Sequence, residues 1–597
     1  MADAWQTYPI EFSGGLITNL SAIQQGTQLP GTARQLRNFE PSVEGGYRRI
    51  TGYNKYSSTA VGTTGTPATG KVRGVFLYDG KVIAVRNNDS GGEGEIYESS
   101  GTTWTRRSTD SVRFGTQDTK VRGVKYNFNG TEKLMLVDGN SYPIIYDASD
   151  NSVTQLTDTN TNGAKHVTVY RDHIVLAKTK SVVISTLLSD TDYSPATGAL
   201  EYFFKDVVTG LEVFRDKLFI FTKSEIHSIS GTSSGDFVRS PVSVDLGCVR
   251  EDTIQELAGD VIFMGPDGLR QLSGTERIGD VGLGAISKTI QSEAIAFLNL
   301  YDDFSSVVVR GKSQYRVFGY LESRRRADSD GLLATQFSSQ GEGNVAWAEL
   351  KGIKAFCTFS GYDDNTEVIL FGNEDGYVYQ MERSISFDGT AIPASFYTPY
   401  YPINDPTIRK TIYVVHNYID PDGNFQAQMR LDYDFGGSVR PDPIILTNNI
   451  DSTDPIGRFG TDTYTTWEST ATANVNGAQT DDTNIEVDGN SGTIAVGQYV
   501  SGTGIVGTPT VVTVTDQNNI VLSSAQTLDD DTELSFSTHA TADVAFLFGN
   551  VARVKLRDQA TGSGFVVSVE YTTDVATPTQ EFTIDAVALE YATNSRR

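Results

Sequence analysis

The sequence is short of everything that staples or tethers a chain. Its two cysteines, Cys248 and Cys357, stand far apart and define neither a disulfide framework nor a zinc spacing, so burial and sheet hydrogen bonding must hold the fold. No apolar run reaches the ~18 residues that cross a membrane. The opening MADAWQTYPIEFSGG lacks the basic and apolar regions of a signal peptide, and the expectation is a chain folded in a cytosol or released from one. Methionines number 5 and helical periodicity is scarce; the clearest case is 285–298, where Ile286, Ile290, Ala294 and Leu298 share a face. Five histidines (His166, His173, His227, His416, His539) make no metal-ligand spacing. Basic residues are the minority, 48 against 74 acids for a net charge of −26, which argues against wrapping DNA through clustered Lys and Arg. Such a surface serves solubility, or lines a passage through which DNA slides without sticking.

What the chain does have is a repeat. Lys71 to Val75 reads KVRGV, and Lys120 to Val124 reads KVRGV again. Comparable strand openings follow at Lys165, Asp206, Arg250, Asp303 and Gly352, at spacings of 41 to 53 residues. Several units share one grammar, an apolar strand, a polar turn (Tyr78-Asp79-Gly80, Tyr170-Arg171-Asp172, Phe214-Arg215-Asp216) and a second apolar strand. Short strands at this period are what the blades of a β-propeller require. The competing arrangement is a β-sandwich or several small β domains.

The repeat divides the rest. Residues 1–60 are rich in Gly and Pro and are expected to form an arm or connecting segment; 61–390 carry the propeller. From 391 to 470 the texture changes to an aromatic and proline-rich crossover, then two strands around Asp420-Pro421-Asp422-Gly423, expected to pair as a hairpin. Between Arg458 and Arg553 there is no Lys or Arg, while 471–538 hold nine acids, among short strands broken by Gly, Asn and Asp at 493–500, 509–514 and 520–522. This predicts an inserted acidic, immunoglobulin-like β-sandwich module over 471–538. Residues 391–470 and 539–597 are then two parts of one β-sandwich-like platform domain. The fold class is all-β.

Motifs for chemistry do not accumulate. Asp420, Asp422 and Asn424 imitate the start of a calcium loop, but its twelfth position is Leu431 rather than a bidentate Glu. Ser99 to Trp104 imitates the Asp-box turn of glycosidase propellers without its Asp, and carboxylates are too plentiful for any pair to stand out. Gly91-Gly92-Glu93-Gly94 and Gly282-Leu283-Gly284 continue into no phosphate-binding motif. Arg324, Arg325 and Arg326 form the one dense basic cluster, suited to an acidic neighbouring subunit, to DNA or to a solvated loop. No catalytic residue, cofactor or metal site is predicted.

An ordered series near the N-terminus carries a resemblance: Phe12-Ser13-Gly14-Gly15-Leu16, Pro30-Gly31-Thr32-Ala33, Leu36-Arg37-Asn38-Phe39-Glu40-Pro41, and Glu44-Gly45-Gly46-Tyr47-Arg48-Arg49-Ile50-Thr51-Gly52-Tyr53. With LEVFRDKLFIF from Leu211, FMGPDGLR from Phe263, GDVGLGAIS from Gly279 and FTIDAV from Phe582, it resembles the tail nozzle proteins of short-tailed bacteriophages, also called tail tubular protein B or packaged-DNA stabilisation protein. The resemblance covers most of the chain except the acidic insert and rests on structural glycines and strand patterns. It implies a β-propeller with a platform, six copies in a ring below an adaptor protein, a gated channel for genome ejection, attachment of tail fibres, and residence in the virion after synthesis in the host cytoplasm. Within it, Gly45 and Gly46 are expected to make a tight turn. Arg48 and Arg49 are expected to pair with acids of an adjacent subunit, or to face solvent on a hairpin. The insert has no place in the family pattern and could contact fibres or a host surface. The alternatives are a carbohydrate-binding or carbohydrate-degrading propeller, an adhesin or depolymerase, and a fibre or baseplate component of another phage type.

Overall fold

The computed structural model describes residues 5–62, 68–273, 285–336, 345–423, 425–436, 442–447, 471–507, 509–537, 554–573 and 577–594. The chain is all-β and divides into two units, 1–448 with 553–597, and 449–552.

The larger unit is built on a seven-bladed propeller. Four four-stranded antiparallel sheets follow in chain order over 68–106, 122–155, 166–203 and 208–243. A three-stranded sheet over 255–271 makes blade 5, strands within 303–351 make blade 6, and strands within 357–384 make blade 7. Of the seven openings expected from the sequence, Lys71 lies inside the first strand of its blade and the other six lie at the start of theirs or up to five residues before it. The turns explain why the chain reverses there. Between the first two strands of blades 1 to 5, residues 79–80, 129–130, 171–172, 215–216 and 258–259 all take positive φ, the two-residue loop whose twist matches that of the flanking strands. Asn, Asp and Gly fill most of these positions; Arg171, Arg215 and Ala258 bear the backbone strain without glycine's freedom.

Apolar side chains fill the wedges between blades. Separate buried clusters join blade 1 to 2, 2 to 3, 3 to 4 and 4 to 5, and another joins blade 7 back to blade 1 through Cys357, Val368 and Leu370 against Val72, Val75 and Trp104. The ring is therefore closed by packing. It is also closed by pairing: Gly52–Lys55 runs antiparallel to Val378–Ser384 as the next strand of blade 7, so the N-terminal segment completes the last blade.

The same segment builds the platform. Gln6–Glu11 pairs with the final strand Phe582–Thr593, and Tyr47–Arg49 pairs with it too. Gln35–Arg37 lies parallel to Val345–Lys351 of blade 6 and antiparallel to Ser395–Tyr397, which merges blade 6 and one platform layer into a nine-stranded sheet. Residues 6–55, expected as an arm or connector, are thus threaded through both parts. The two platform layers meet on aromatic rings, with Phe12 edge-on to Phe396 at 4.7 Å and Phe396 stacked on Tyr571 at 5.6 Å.

Two local expectations change. Lys410–Pro421 and Gln426–Tyr433 do not pair as a hairpin: the first joins Phe582–Thr593 and Val554–Gly564, the second joins Val567–Thr573 in the other layer. The Pro-Asp-Gly turn is an arch between layers, favoured because both strands bury alternate apolar residues in the shared core. Over 285–298, the helix proper is Gln291–Leu300, after a single 3-10 turn at Lys288–Ile290; Ile290, Ala294 and Leu298 are buried as the pattern requires.

The second unit has its own core. Among its described residues are six strands, of which the long Gln479–Gly492 pairs with Ala471–Val475 on one side and with Asn519–Leu528 on the other. Val475, Ile485, Val487, Leu534 and Phe536 fill the space between. Tyr499–Gly502, Val511–Asp516 and Asn519–Leu528 are strands; the expected strand start at 493–498 is loop.

Candidate functional site

The place where all seven blades converge is a cavity of about 280 Å3. Each inner strand, or the residue leading into it, contributes to the wall: Phe76, Arg122, His166, Thr209, Asp252, Ser306 and Thr358 stand for blades 1 to 7. The wall is mostly tied to itself. Ser306 Oγ donates to the Asp252 carbonyl at 2.7 Å, Thr358 Oγ1 to the Ser306 carbonyl at 2.7 Å, and Thr209 Oγ1 to the Cys248 carbonyl at 2.9 Å.

An ionic cluster crosses this space. Arg122 grips Asp252 through Nε at 2.6 Å and Nη2 at 2.7 Å, and reaches Glu251 at 3.1 Å. Lys120 reaches the same Asp252 at 3.3 Å and donates to the Phe304 carbonyl, while Lys165 holds Glu251 at 2.7 Å. Burial alone would raise the Asp252 carboxyl, but the Arg122 charge, then that of Lys120, outweigh it and hold the group far below the usual carboxylate range. His166 goes the other way: burial, then the Arg122 charge, depress its imidazole well below its usual value, and Asp252 only partly opposes them.

The repeated KVRGV places equivalent residues in different surroundings. Arg73 donates to the Thr119 carbonyl and Arg122 to the Lys165 carbonyl, each reaching the entrance of the next blade. Arg73 then pairs with Asp138 in blade 2 and is wholly buried, whereas Arg122 pairs with blade 5. Nothing local in the sequence marks Glu251 and Asp252 as those partners; the only signal is that they sit in the fifth strand opening.

The residues singled out from sequence lie elsewhere. Gly45 and Gly46 do form a tight turn, both with positive φ, between Phe39–Pro41 and Tyr47–Arg49; a Cβ on Gly46 would come within 2.8 Å of the Ile584 carbonyl oxygen. Arg48, expected to meet an adjacent subunit's acids, is bound within its own chain by Glu581 and Asp422, both at 2.6 Å. Arg49 is buried and donates to the carbonyls of Ile385 and Thr579, at the end of a platform strand that leads directly into Gly52–Lys55 of blade 7. Arg324, Arg325 and Arg326 do not act as one patch: Arg324 pairs with Asp330, Arg326 with Asp375, and Arg325, the one well exposed, with Asp328. Asp422 serves Arg48, and Asn424 and Gly282-Leu283-Gly284 lie outside the described residues. Cys248 and Cys357 are free buried thiols, pushed up by burial to about 11 and about 12. Among the described residues no cluster of three or more His, Cys, Asp or Glu could hold a metal ion.

No family model and no curated protein matches the chain. Solved structures similar to it include the extracellular domain of a putative hybrid two-component system from B. thetaiotaomicron, at 10% identity and TM-score 0.33, covering 61% of this chain and 42% of that one. The extracellular domain of a putative one-component system from the same organism is matched at 10% identity and TM-score 0.34, over 68% of this chain and 48% of that one. The chain thus spans less than half the length of these two. The WD40 domain of Neurospora crassa Pan2 is matched at 8% identity and TM-score 0.33, over 57% of this chain and 97% of that domain. At these scores the likenesses carry no functional argument, and the propeller rests on its own strand pairing.

Proposed function

We propose that this chain is a non-catalytic structural protein, the tail nozzle of a short-tailed phage, assembled in the virion as a hexameric ring below an adaptor and passing genomic DNA without binding its sequence. The observation that carries the reading is the N-terminal series from Phe12 to Tyr53. The residues that resemble the nozzle family are the ones that pair with the final strand, join blade 6 to the platform and complete blade 7. A series with such a role suits a protein whose task is a rigid frame. The cavity on the propeller axis is braced by charge pairs drawn from blades 2 and 5, which fits a wall element better than a substrate cleft. On this reading the DNA channel lies between copies of the chain, and the acidic insert serves fibres or a host surface.

Electron microscopy of the purified protein tests it: six-fold rings are expected, and a strictly monomeric protein that joins no tail particle would overturn the reading. Release of reducing ends from host polysaccharide, abolished by one carboxylate substitution, would establish the depolymerase alternative in its place.

A further inference from the structure

Asparagine followed by glycine is a labile pair, because no Cβ on the second residue shields its backbone nitrogen from the asparagine side chain. This chain has three such pairs, at Asn129, Asn162 and Asn476. The structure sets them apart by what the glycine N–H does. Gly477 donates to Asp530 Oδ1 at 2.6 Å and Gly163 donates to the Ser141 carbonyl at 3.3 Å, so both nitrogens are engaged elsewhere. Among the described residues, the Gly130 N–H meets no acceptor and the Asn129 side chain makes no hydrogen bond. Both residues are exposed at the tip of the blade 2 hairpin, where Asn129 has a φ of +63 and Gly130 one of +87 between the paired Phe128 and Thr131. A Cβ on Gly130 would touch nothing within 4 Å, so no packed neighbour opposes a rotation that brings its nitrogen onto the Asn129 side-chain carbon.

We infer that Asn129 is a site of spontaneous modification, in which the Gly130 nitrogen attacks the Asn129 side-chain amide carbon. The new C–N bond closes a succinimide ring, and the side-chain nitrogen leaves as ammonia, carrying the proton lost by the Gly130 N–H. Water then opens the ring at one of its two carbonyls, giving aspartate or isoaspartate. Either product adds a negative charge. Isoaspartate also lengthens the main chain by a methylene inside a two-residue turn whose geometry sets the register of the hairpin. The strand that follows the turn is tied to blade 1, where the Tyr78 hydroxyl donates to the Glu132 carbonyl at 2.6 Å, so the change acts on the contact between blades 1 and 2. None of this depends on how many copies of the chain assemble.

Peptide mapping by mass spectrometry of the full chain, incubated folded and in urea at neutral and mildly alkaline pH, tests it. In the folded chain the peptide holding Asn129 should gain the mass of NH2 replaced by OH, faster at the higher pH, with isoaspartate among the products. Asn162 should convert about fivefold more slowly and Asn476 at least about tenfold, since their glycine N–H groups must first leave a neutral and a charged acceptor respectively. In urea, where those bonds are gone, the three rates should converge. Asn129→Gln, whose side chain would have to close a larger ring, should stop the gain at that peptide and leaves the glycine in place. The proposal is overturned if Asn129 stays unmodified in the folded chain while it converts in urea, if Asn162 or Asn476 keeps pace with it in the folded chain, or if aspartate forms without isoaspartate, the mark of direct hydrolysis.

Discussion

Arg122 and Asp252 lie 130 residues apart in sequence and meet in a two-pronged ion pair, Nε to Oδ1 at 2.6 Å and Nη2 to Oδ2 at 2.7 Å, that ties blade 2 to blade 5. Asp252→Asn keeps the shape and removes the charge, leaving Arg122 with Glu251 as its remaining acid and Lys120 with the Phe304 carbonyl. The pair is only partly buried, so chemical denaturation should show a loss of about 2 kcal/mol, the scale of a hydrogen bond to a charged group. The pH dependence has a definite sign. The folded carboxyl is held far below the unfolded value of about 3.9, so the contribution is complete above that pH and drains away only as pH falls toward the folded value. Between pH 4 and 2 the variant should lose less stability than the parent.

Glu212 is the opposite case. It lies on Val208–Phe214 in blade 4, and burial, with the Glu256 charge on the inner strand of blade 5 adding to it, pushes its carboxyl up to about 7. The unfolded chain gives up this proton near pH 4.3, so stability falls as pH rises from about 4 to 7 and the loss is complete above that. Glu212→Gln should flatten this slope and be more stable than the parent at pH 8 by about 3 kcal/mol, relative to the difference at pH 4. Equal slopes for the two proteins would count against the burial of this group.

Gly130 isolates backbone strain from packing. Its φ is +87 and a Cβ there would meet nothing within 4 Å, so Gly130→Ala should cost about 1 kcal/mol through conformation alone. Gly46→Ala, where φ is +76 and the added atom would press on the Ile584 carbonyl, should cost more in the same urea titration.

The 449–552 unit closes its own core with Ile485, Val487, Leu534 and Phe536 and should fold when expressed alone. Replacing it by a short flexible linker should leave the melting transition of the remaining chain in place. A shift of more than a few degrees would show that the propeller and platform draw stability from the insert.

Much of the propeller was legible because its signals are local. Asp79-Gly80 and Arg171-Asp172 fall in two-residue turns between apolar strands, and such a turn is decided by the residues it contains. The 471–538 boundary was legible for a similar reason, since a stretch without Lys or Arg is a property of composition. The arch at 420–423 was not: the sequence offers the same Pro-Asp-Gly for a hairpin, and only the two-layer core sends the flanking strands to different sheets. Arg48 and Arg49 were expected to face another subunit because their partners, Glu581 and the Thr579 carbonyl, come from the far end of the chain.

The sequence by itself determined the all-β class, the period of the blades and the reversals within them, because strand patterning and turn chemistry act over a few residues. Only the tertiary structure decided that seven blades close on one another, that Gly52–Lys55 completes the last of them, and that Arg122 finds Asp252 while its counterpart Arg73 finds Asp138. Identical pentapeptides cannot encode different partners. Ring closure does so, by carrying each blade's entrance to a different neighbour across a shared centre.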